Sequence, residues 1–226
     1  MYKNVIKPIL DVALALIFVL LFWWLYIILA ILVKIKFGTP VLFKQKRPGK
    51  IDPKTGKESI FTLYKFRTMT DERDRDGHLL PDEERMTRFG NFLRSTSLDE
   101  IPEIFFDILL GGGQIMSWVG PRPLLIEYIP RYTKEQRRRH EVLPGLTGYA
   151  QASGRNAISW EEKFKADVWY VDHMSFLLDI KIFFKTISIV LNRTGISSDT
   201  SATMEEFTGN KESAYNGDGF IINKEI

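Results

Sequence analysis

The sequence predicts an α/β chain that is mostly helical, with one small β-hairpin, a membrane-inserted N-terminal helix and amphipathic helices at the membrane surface. Three observations predict it. Val12 to Val33 is an unbroken apolar run, long enough at about 1.5 Å per residue to reach across a hydrocarbon core about 30 Å thick. Pro40–Gln45 and Ile60–Thr68 read as strands, joined by a polar linker from Arg47 to Ser59 that carries the turn signals Asp52-Pro53 and Thr55-Gly56. From Phe176 to Arg193, Lys181, Lys185, Ser188 and Asn192 share one helical face, with Ile180, Phe183, Phe184, Ile187 and Leu191 on the other, a pattern that suits a helix lying in the membrane interface or, alternatively, a buried core helix. The expected organisation is a membrane-inserted helix over 1–36, a catalytic domain with interfacial helices over 37–195, and a polar, flexible tail over 196–226.

Composition narrows the chemistry. There is no cysteine, so disulfides, thiol catalysis and Cys-ligated zinc are excluded. The three histidines, His78, His140 and His173, are scattered and form no His-Glu-x-x-His pair. The net charge of +3 is the remainder of 31 basic and 28 acidic residues, so local distribution is what informs. Catalysis must rest on carboxylates and cations.

The apolar run exceeds a secretory h-region and no small-residue cleavage site follows it, so it is a permanent anchor. Lys34, Lys36, Lys44, Lys46, Arg47 and Lys50 follow it, against Lys3 and Lys7 before it, which places the rest of the chain in the cytoplasm. A straight helix puts the N-terminus outside. A re-entrant helix keeps it inside but needs a break, and neither Pro nor Gly lies between Val12 and Val33.

In the second strand Lys65 and Arg67 project from one face and Tyr64 and Phe66 from the other. Two cations so placed suit a diphosphate, or simply a solvated face. Residues 71–85 contain a partial calcium-loop pattern and the Asp-x-Asp of Asp74 and Asp76, best read as a solvated, charge-paired loop. Met86–Ser95 reads as a short helix with Arg85, Arg88 and Arg94 beside its apolar side.

The next stretch, Ser97-Leu98-Asp99-Glu100-Ile101-Pro102, begins another helix. Ser97 and Glu100 have capping-box spacing, whereas Pro102 favours Asp99 as the cap. Under either reading the two carboxylates sit at the positive end of a helix dipole. The helix continues to Leu110 and stops at Gly111-Gly112-Gly113. In Pro121-Arg122-Pro123 two prolines fix the backbone of one arginine, which suits a phosphate contact or a turn with a solvated Arg.

Thr133 and Gln136 form a second capping box. Its helix carries Arg137-Arg138-Arg139, a basic run that beside a membrane segment is expected to meet lipid head groups. Leu143–Gly148 is a turn-rich loop, and Gln151–Asn156 has the glycine and polar side chains of a nucleotide or sugar pocket. Ser159 and Glu162 form a third capping box, with a helix running to about Asp172.

Several of these residues occur together in a known order: the N-terminal membrane helix, Tyr64–Met69, Arg94 through Glu100, Val119-Gly120-Pro121-Arg122-Pro123, Pro144–Gly148 and Gly154-Arg155-Asn156. On them the chain resembles the small monotopic polyprenyl-phosphate phosphoglycosyl transferases of the bacterial sugar transferase family, from about Lys7 to Arg193. Ser153 to Trp169 most resembles members that use di-N-acetylbacillosamine in bacterial protein glycosylation. Two departures stand out. Trp23-Trp24 occupies the place of a Ser-Pro in the membrane helix, and Leu110–Ser117 replaces a shorter Lys-Gly-Asp-Met-Ser.

The resemblance implies transfer of a sugar 1-phosphate from a UDP-sugar to undecaprenyl phosphate with release of UMP and a requirement for Mg²⁺, on the cytoplasmic face of a bacterial inner membrane. It assigns the nucleophile to Asp99 and the metal to Asp99 and Glu100, with Glu100 positioning either metal or acceptor. It makes Lys65, Arg67, Arg94, Pro121, Arg122, Pro123, Arg155 and Asn156 the candidate donor-binding residues. Membrane lipid and downstream glycosyltransferases are the expected partners, and nucleic acid is not. Two rivals are a metal-dependent glycosyltransferase built on Asp74 and Asp76, releasing UDP, and a non-catalytic membrane scaffold.

Overall fold

The computed structural model describes residues 1–154, 158–192 and 206–209. A π-helical turn, Tyr2–Ile6, leads into α1, Lys7–Phe37. One stripe of α1, through Lys7, Asp11, Ala15, Leu29 and Val33, is buried, whereas Leu20, Leu21 and Trp23 stand exposed as lipid-facing residues should. Both ends of α1 lie on the same domain. At the start, Lys7 Nζ meets Asp179 Oδ2 at 2.7 Å and Ser117 Oγ donates to Asp11 Oδ2 at 2.7 Å. Towards the end, Leu29 and Val33 pack with Phe66, Leu93 and Ile101, and Tyr26 donates to Ile101 O at 3.0 Å.

The helix is broken after all. Phe22 leaves helical geometry at φ −117°, ψ 16°. Neither Pro nor Gly stands at the break; beside it Trp24 Nε1 donates to Leu21 O at 3.1 Å.

The hairpin is antiparallel: β1, Leu42–Ile51, pairs with β2, Glu58–Phe66, with Leu42 opposite Phe66 and Pro48 opposite Ile60. β1 is longer than its sequence suggests, because in a two-stranded sheet Pro48 can sit on an open edge. After the turn α2, Asp82–Arg85, the helix α3, Arg88–Ser95, is capped by Thr87 Oγ1, which accepts from Gly90 N at 3.0 Å.

The predicted capping box at Ser97 does not form. Ser97 takes the left-handed conformation, φ 56°, with no side-chain cap, and a 3₁₀ turn Leu98–Glu100 follows. α4, Ile101–Glu103, then runs into a π-helix, Ile104–Leu109. Beyond it Gly113 sits at φ +66°, where a Cβ would come 2.7 Å from Pro8 O. The glycine-rich loop is therefore what lets the chain pass against the start of α1.

β3, Ser117–Val119, pairs in parallel with β4, Gly145–Thr147. A 3₁₀ segment, Ile126–Arg131, lies between them, followed by α5, Lys134–Arg137, whose Thr133/Gln136 capping box is complete. The basic run that follows is paired within the domain. Arg137 pairs with Glu58 at 2.6 Å, Arg138 with Glu135 at 2.8 Å and with Asp172, and the 2 % exposed Arg139 with Asp167 at 2.7 Å. Each guanidinium has an internal carboxylate, so the run is not a patch of uncompensated positive charge.

α6, Tyr149–Gly154, precedes α7, Trp160–His173, whose Ser159/Glu162 box also forms. α8, Phe176–Asn192, turns Asp179 and Ile182 inward and leaves Phe176, Leu177, Ile180, Phe184 and Ile187 uncovered, the broad apolar face of an interfacial helix. The central core joins Ala15 of α1 to Ile104, Ile108, Trp118, Tyr170 and Ile182. Part of the tail is docked rather than flexible: Phe207 is 3 % exposed within an aromatic cluster with Tyr128, Tyr132 and Phe164.

Candidate active site

Four pieces of chain converge. β2 supplies Lys65, the turn Leu98–Glu100 supplies Asp99 and Glu100, α4 supplies Glu103, and the Pro-clamped loop after β3 supplies Arg122. Backbone crossing explains the loop's position. Gly120 N donates to Thr147 O at 2.9 Å and Gly145 N to Pro121 O at 3.1 Å. A Cβ on Gly145 would lie 2.0 Å from Gly120 N, so only glycine allows this approach.

Glu100 Oε1 receives two cations, Lys65 Nζ at 2.6 Å and Arg122 Nη2 at 2.7 Å. Lys65 Nζ also lies 3.2 Å from Glu103 Oε1, out of hydrogen-bonding alignment, which leaves that buried oxygen without a hydrogen-bond partner. Asp99, 8 % exposed, takes neither a hydrogen bond nor an ion pair from any of the described residues. Three carboxylates share two adjacent cations, so their proton affinities diverge. Burial opposes ionisation of Glu100, but Arg122 and Lys65 outweigh it and hold its carboxyl well below the usual range. Burial and then the Glu100 charge push Asp99 up to about 6, and burial, against the pull of Lys65, pushes Glu103 up to about 8. Arg122 remains 43 % exposed at its side chain, open to an incoming anion.

The other sequence-predicted residues are placed as follows. Arg94 donates to Thr68 Oγ1 at 3.0 Å, and its charge reaches Asp99. Arg67 points elsewhere, onto Asp71 at 2.6 Å and Met69 O at 3.0 Å. Pro121 and Pro123 contribute backbone: Pro121 O accepts from Gly145, and Pro123 O from Arg47 Nη1 at 3.3 Å. Arg155 and Asn156 lie outside the described residues. In the Asp-x-Asp loop, Asp74 Oδ1 accepts from the backbone N–H of Asp76 and His78, each at 2.9 Å, which makes it a loop-shaping residue.

Sequence reasoning missed Glu103 and Asp107, although a carboxylate inside the apolar run Ile101–Leu110 was itself a signal. Asp107, 2 % exposed, accepts Tyr64 N–H at 3.2 Å, and burial pushes it up to about 7. Arg139 was missed as a support: its Nη2 donates to Arg122 O at 2.7 Å.

Among the described residues no group of three or more acidic or histidine side chains could cage a metal by itself. Mg²⁺ does not need such a cage, since it is commonly held by one or two carboxylates plus substrate phosphates. Asp99, which carries no hydrogen bond among the described residues, lies next to Glu100, and a Glu103 oxygen without a hydrogen bond lies nearby; these carboxylate oxygens are a donor set that fits a hard cation. Beside the site, an apolar cavity of about 500 Å³ opens between α1 and the domain, lined by Val19, Trp23, Tyr26, Phe66, Pro102 and Phe105 among others.

Comparison with known proteins completes the picture. Residues 2–193 match the family described as bacterial sugar transferase. The chain is 56 % identical over 177 residues to the uncharacterized sugar transferase EpsL of Bacillus subtilis, covering 78 % of this chain and 83 % of that one. It is 37 % identical over 206 residues to the UDP-glucose:undecaprenyl-phosphate glucose-1-phosphate transferase of Xanthomonas campestris, covering 85 % and 40 % respectively. Against the undecaprenyl-phosphate galactose phosphotransferase of Salmonella typhimurium the identity is 35 % over 176 residues, covering 70 % and 35 %. The chain thus spans less than half the length of the latter two. Glucose and galactose are the sugars in those names, and the bacillosamine expectation gains no support from them.

Proposed function

The chain belongs to the bacterial sugar transferase family, and on that premise we propose that it moves a sugar 1-phosphate from a UDP-sugar to undecaprenyl phosphate, by way of Asp99. The observation that carries this reading is that, among the described residues, Asp99 alone of the site acids is engaged by neither a hydrogen bond nor an ion pair, which leaves its carboxylate oxygens available to a phosphorus atom. An Asp99 oxygen attacks the β-phosphorus, the bond from that phosphorus to the bridging oxygen breaks, and UMP departs with the electron pair. An acyl phosphate carrying the sugar remains on Asp99. A phosphate oxygen of the acceptor then attacks the same phosphorus, and the Asp99 carboxylate leaves. No proton transfer is needed in either half, so the protein's work is alignment and charge.

Lys65 and Arg122 supply that charge, with Arg122 as the planar fork for the diphosphate. Glu100 holds both cations in place. Asp99 and Glu100 would hold Mg²⁺ together with the donor phosphates, where the ion supplies neutralisation of phosphate charge. The apolar cavity beside Pro102 suits the first units of a polyprenyl chain, and its wall of α1 residues connects it to the lipid. With both ends of α1 on one domain, the helix enters a single leaflet and returns. The basic residues flanking it favour a domain on the cytoplasmic side.

The test is incubation with a panel of UDP-sugars in the absence of acceptor. UMP, not UDP, should be released in stoichiometric amount, and intact-protein mass spectrometry should show a sugar phosphate on Asp99. An Asp99→Asn variant should form no adduct and lose at least about a thousandfold in turnover, as removal of a nucleophile does. UDP as the product, or turnover that survives Asp99→Asn, would sink the reading.

A further inference from the structure

The family match ends at residue 193, yet the chain docks on the domain again beyond it. Phe207, 3 % exposed, fills a box of four rings: Phe164 at 5.0 Å, Trp160 at 5.5 Å, Tyr128 at 5.6 Å and Tyr132 at 5.9 Å between centroids. The backbone on either side is held as well. Tyr128 Oη accepts from Phe207 N at 3.3 Å, and Arg131 both donates to Phe207 O and pairs with Glu206 at 2.7 Å.

Two of these rings have a second occupant. The Arg139 guanidinium lies 6.0 Å from the Tyr132 centroid and 5.7 Å from that of Phe164. Arg139 donates through Nε and Nη2 to Asp167 Oδ2 at 2.9 and 2.7 Å, and through Nη2 to Arg122 O at 2.7 Å. A packed interior transmits displacement because its rings have no empty volume to move into. Emptying the box would let Tyr132 and Phe164 relax, and Arg139 rests on both.

We propose that Glu206–Gly209 is a brace of the active site and that Phe207 is a positioning residue for Arg122, acting through Tyr132, Phe164 and Arg139. The inference rests on the assignment of Arg122 to the donor diphosphate. Among the described residues the exposed Arg122 side chain is tethered by Glu100 alone, so its backbone anchor decides where the guanidinium waits.

The test uses the full-length protein and UMP release from a UDP-sugar found active with wild type. Phe207→Ala should raise KM for the UDP-sugar roughly tenfold, short of the hundredfold loss that about 1 Å of misplacement can cause. Phe207→Leu, which keeps apolar volume in the box, should recover most of it. A purely structural role would lower the folded fraction and hence apparent kcat while leaving KM unchanged, and that result overturns the brace. Absence of UMP release by wild type would instead defeat the proposed function. Hydrogen exchange gives an answer independent of turnover: in Phe207→Ala the amides of Gly120 and Gly145 should exchange faster while those of Leu63–Phe66 do not, and unchanged exchange at Gly120 and Gly145 likewise overturns the brace.

Discussion

Two buried polar clusters, one at the start of α1 and one at Asp99, both set buried carboxylates beside cations and differ in how completely they are satisfied. At the start of α1, Asp179 Oδ2 receives Lys7 at 2.7 Å and Tyr2 at 2.5 Å, and its Oδ1 receives Tyr170 at 2.7 Å. Asp11 in turn receives Ser117 Oγ at 2.7 Å, and its own carbonyl receives Trp118 Nε1 at 3.0 Å. Around Asp99 the accounting is left open: two cations converge on one Glu100 oxygen, a Glu103 oxygen has no hydrogen bond, and Asp99 has neither hydrogen bond nor ion pair among the described residues. A closed network fixes geometry. An open one keeps binding capacity for a ligand that brings its own charge, which is why the second cluster is where chemistry is assigned.

The comparison breaks first if the closed cluster proves dispensable. Lys7→Met removes the only cation facing Asp11 and Asp179 among the ion pairs found, leaving buried carboxylates uncompensated. The expected cost is about 3–5 kcal/mol, read as a lower thermal midpoint in detergent or nanodiscs. Wild-type stability in this variant would show that the network positions nothing.

Asp107, next to the open cluster and within the field of its Lys65, should show the opposite sign. Asp107 has one acceptor role, toward Tyr64 N–H at 3.2 Å, and burial has raised its carboxyl to about 7. A raised carboxyl means that the folded state holds a proton the unfolded state has released. Stability from this group is therefore complete below about pH 4 and is lost as pH rises to about 7. Asn can accept the same hydrogen bond without ionising, so Asp107→Asn should stabilise the protein at pH 8 by about 1–3 kcal/mol and have no such effect at pH 4. A fall in stability at pH 8 would mean that the ionised form is favoured and the cluster is more closed than it looks.

How much was legible in the sequence follows the range of the interactions concerned. The membrane helix, the hairpin, the Thr133 and Ser159 caps and the Asp99–Glu100 pair are written in periodicity and short spacing. The false capping box at Ser97 has the same spacing, but Glu100 is claimed by Lys65 and Arg122, distant in sequence, and Ser97 turns left-handed to allow it. The Arg137–Arg139 run reads as a lipid-facing patch because Glu58, Asp167 and Asp172, its actual partners, are many residues away. Phe207 was lost for a related reason: one aromatic in a polar tail carries no periodic signal, and only the folded box gives it meaning.

The smallest effect expected is also the one that bears most directly on how α1 enters the membrane. At the break, Phe22 is flanked by exposed Leu20 and Trp23, and Trp24 Nε1 donates to Leu21 O at 3.1 Å. Trp24→Phe keeps an aromatic ring there and deletes that donor. Hydrogen bonds between side chains within bilayers are worth about 0.6 kcal/mol on average and up to about 1.7 kcal/mol, so a loss of about 1 kcal/mol is expected in nanodiscs. A tag at residue 1 should stay inaccessible from outside intact cells in this variant, because Lys7 and Asp11 still hold the start of α1 on the domain. Accessibility from outside would show that the indole, and not the polar cluster, keeps the helix from straightening into a span. Unchanged stability with an unchanged tag would mean that water reaches Leu21 O, placing the break at the depth of the head groups rather than in hydrocarbon.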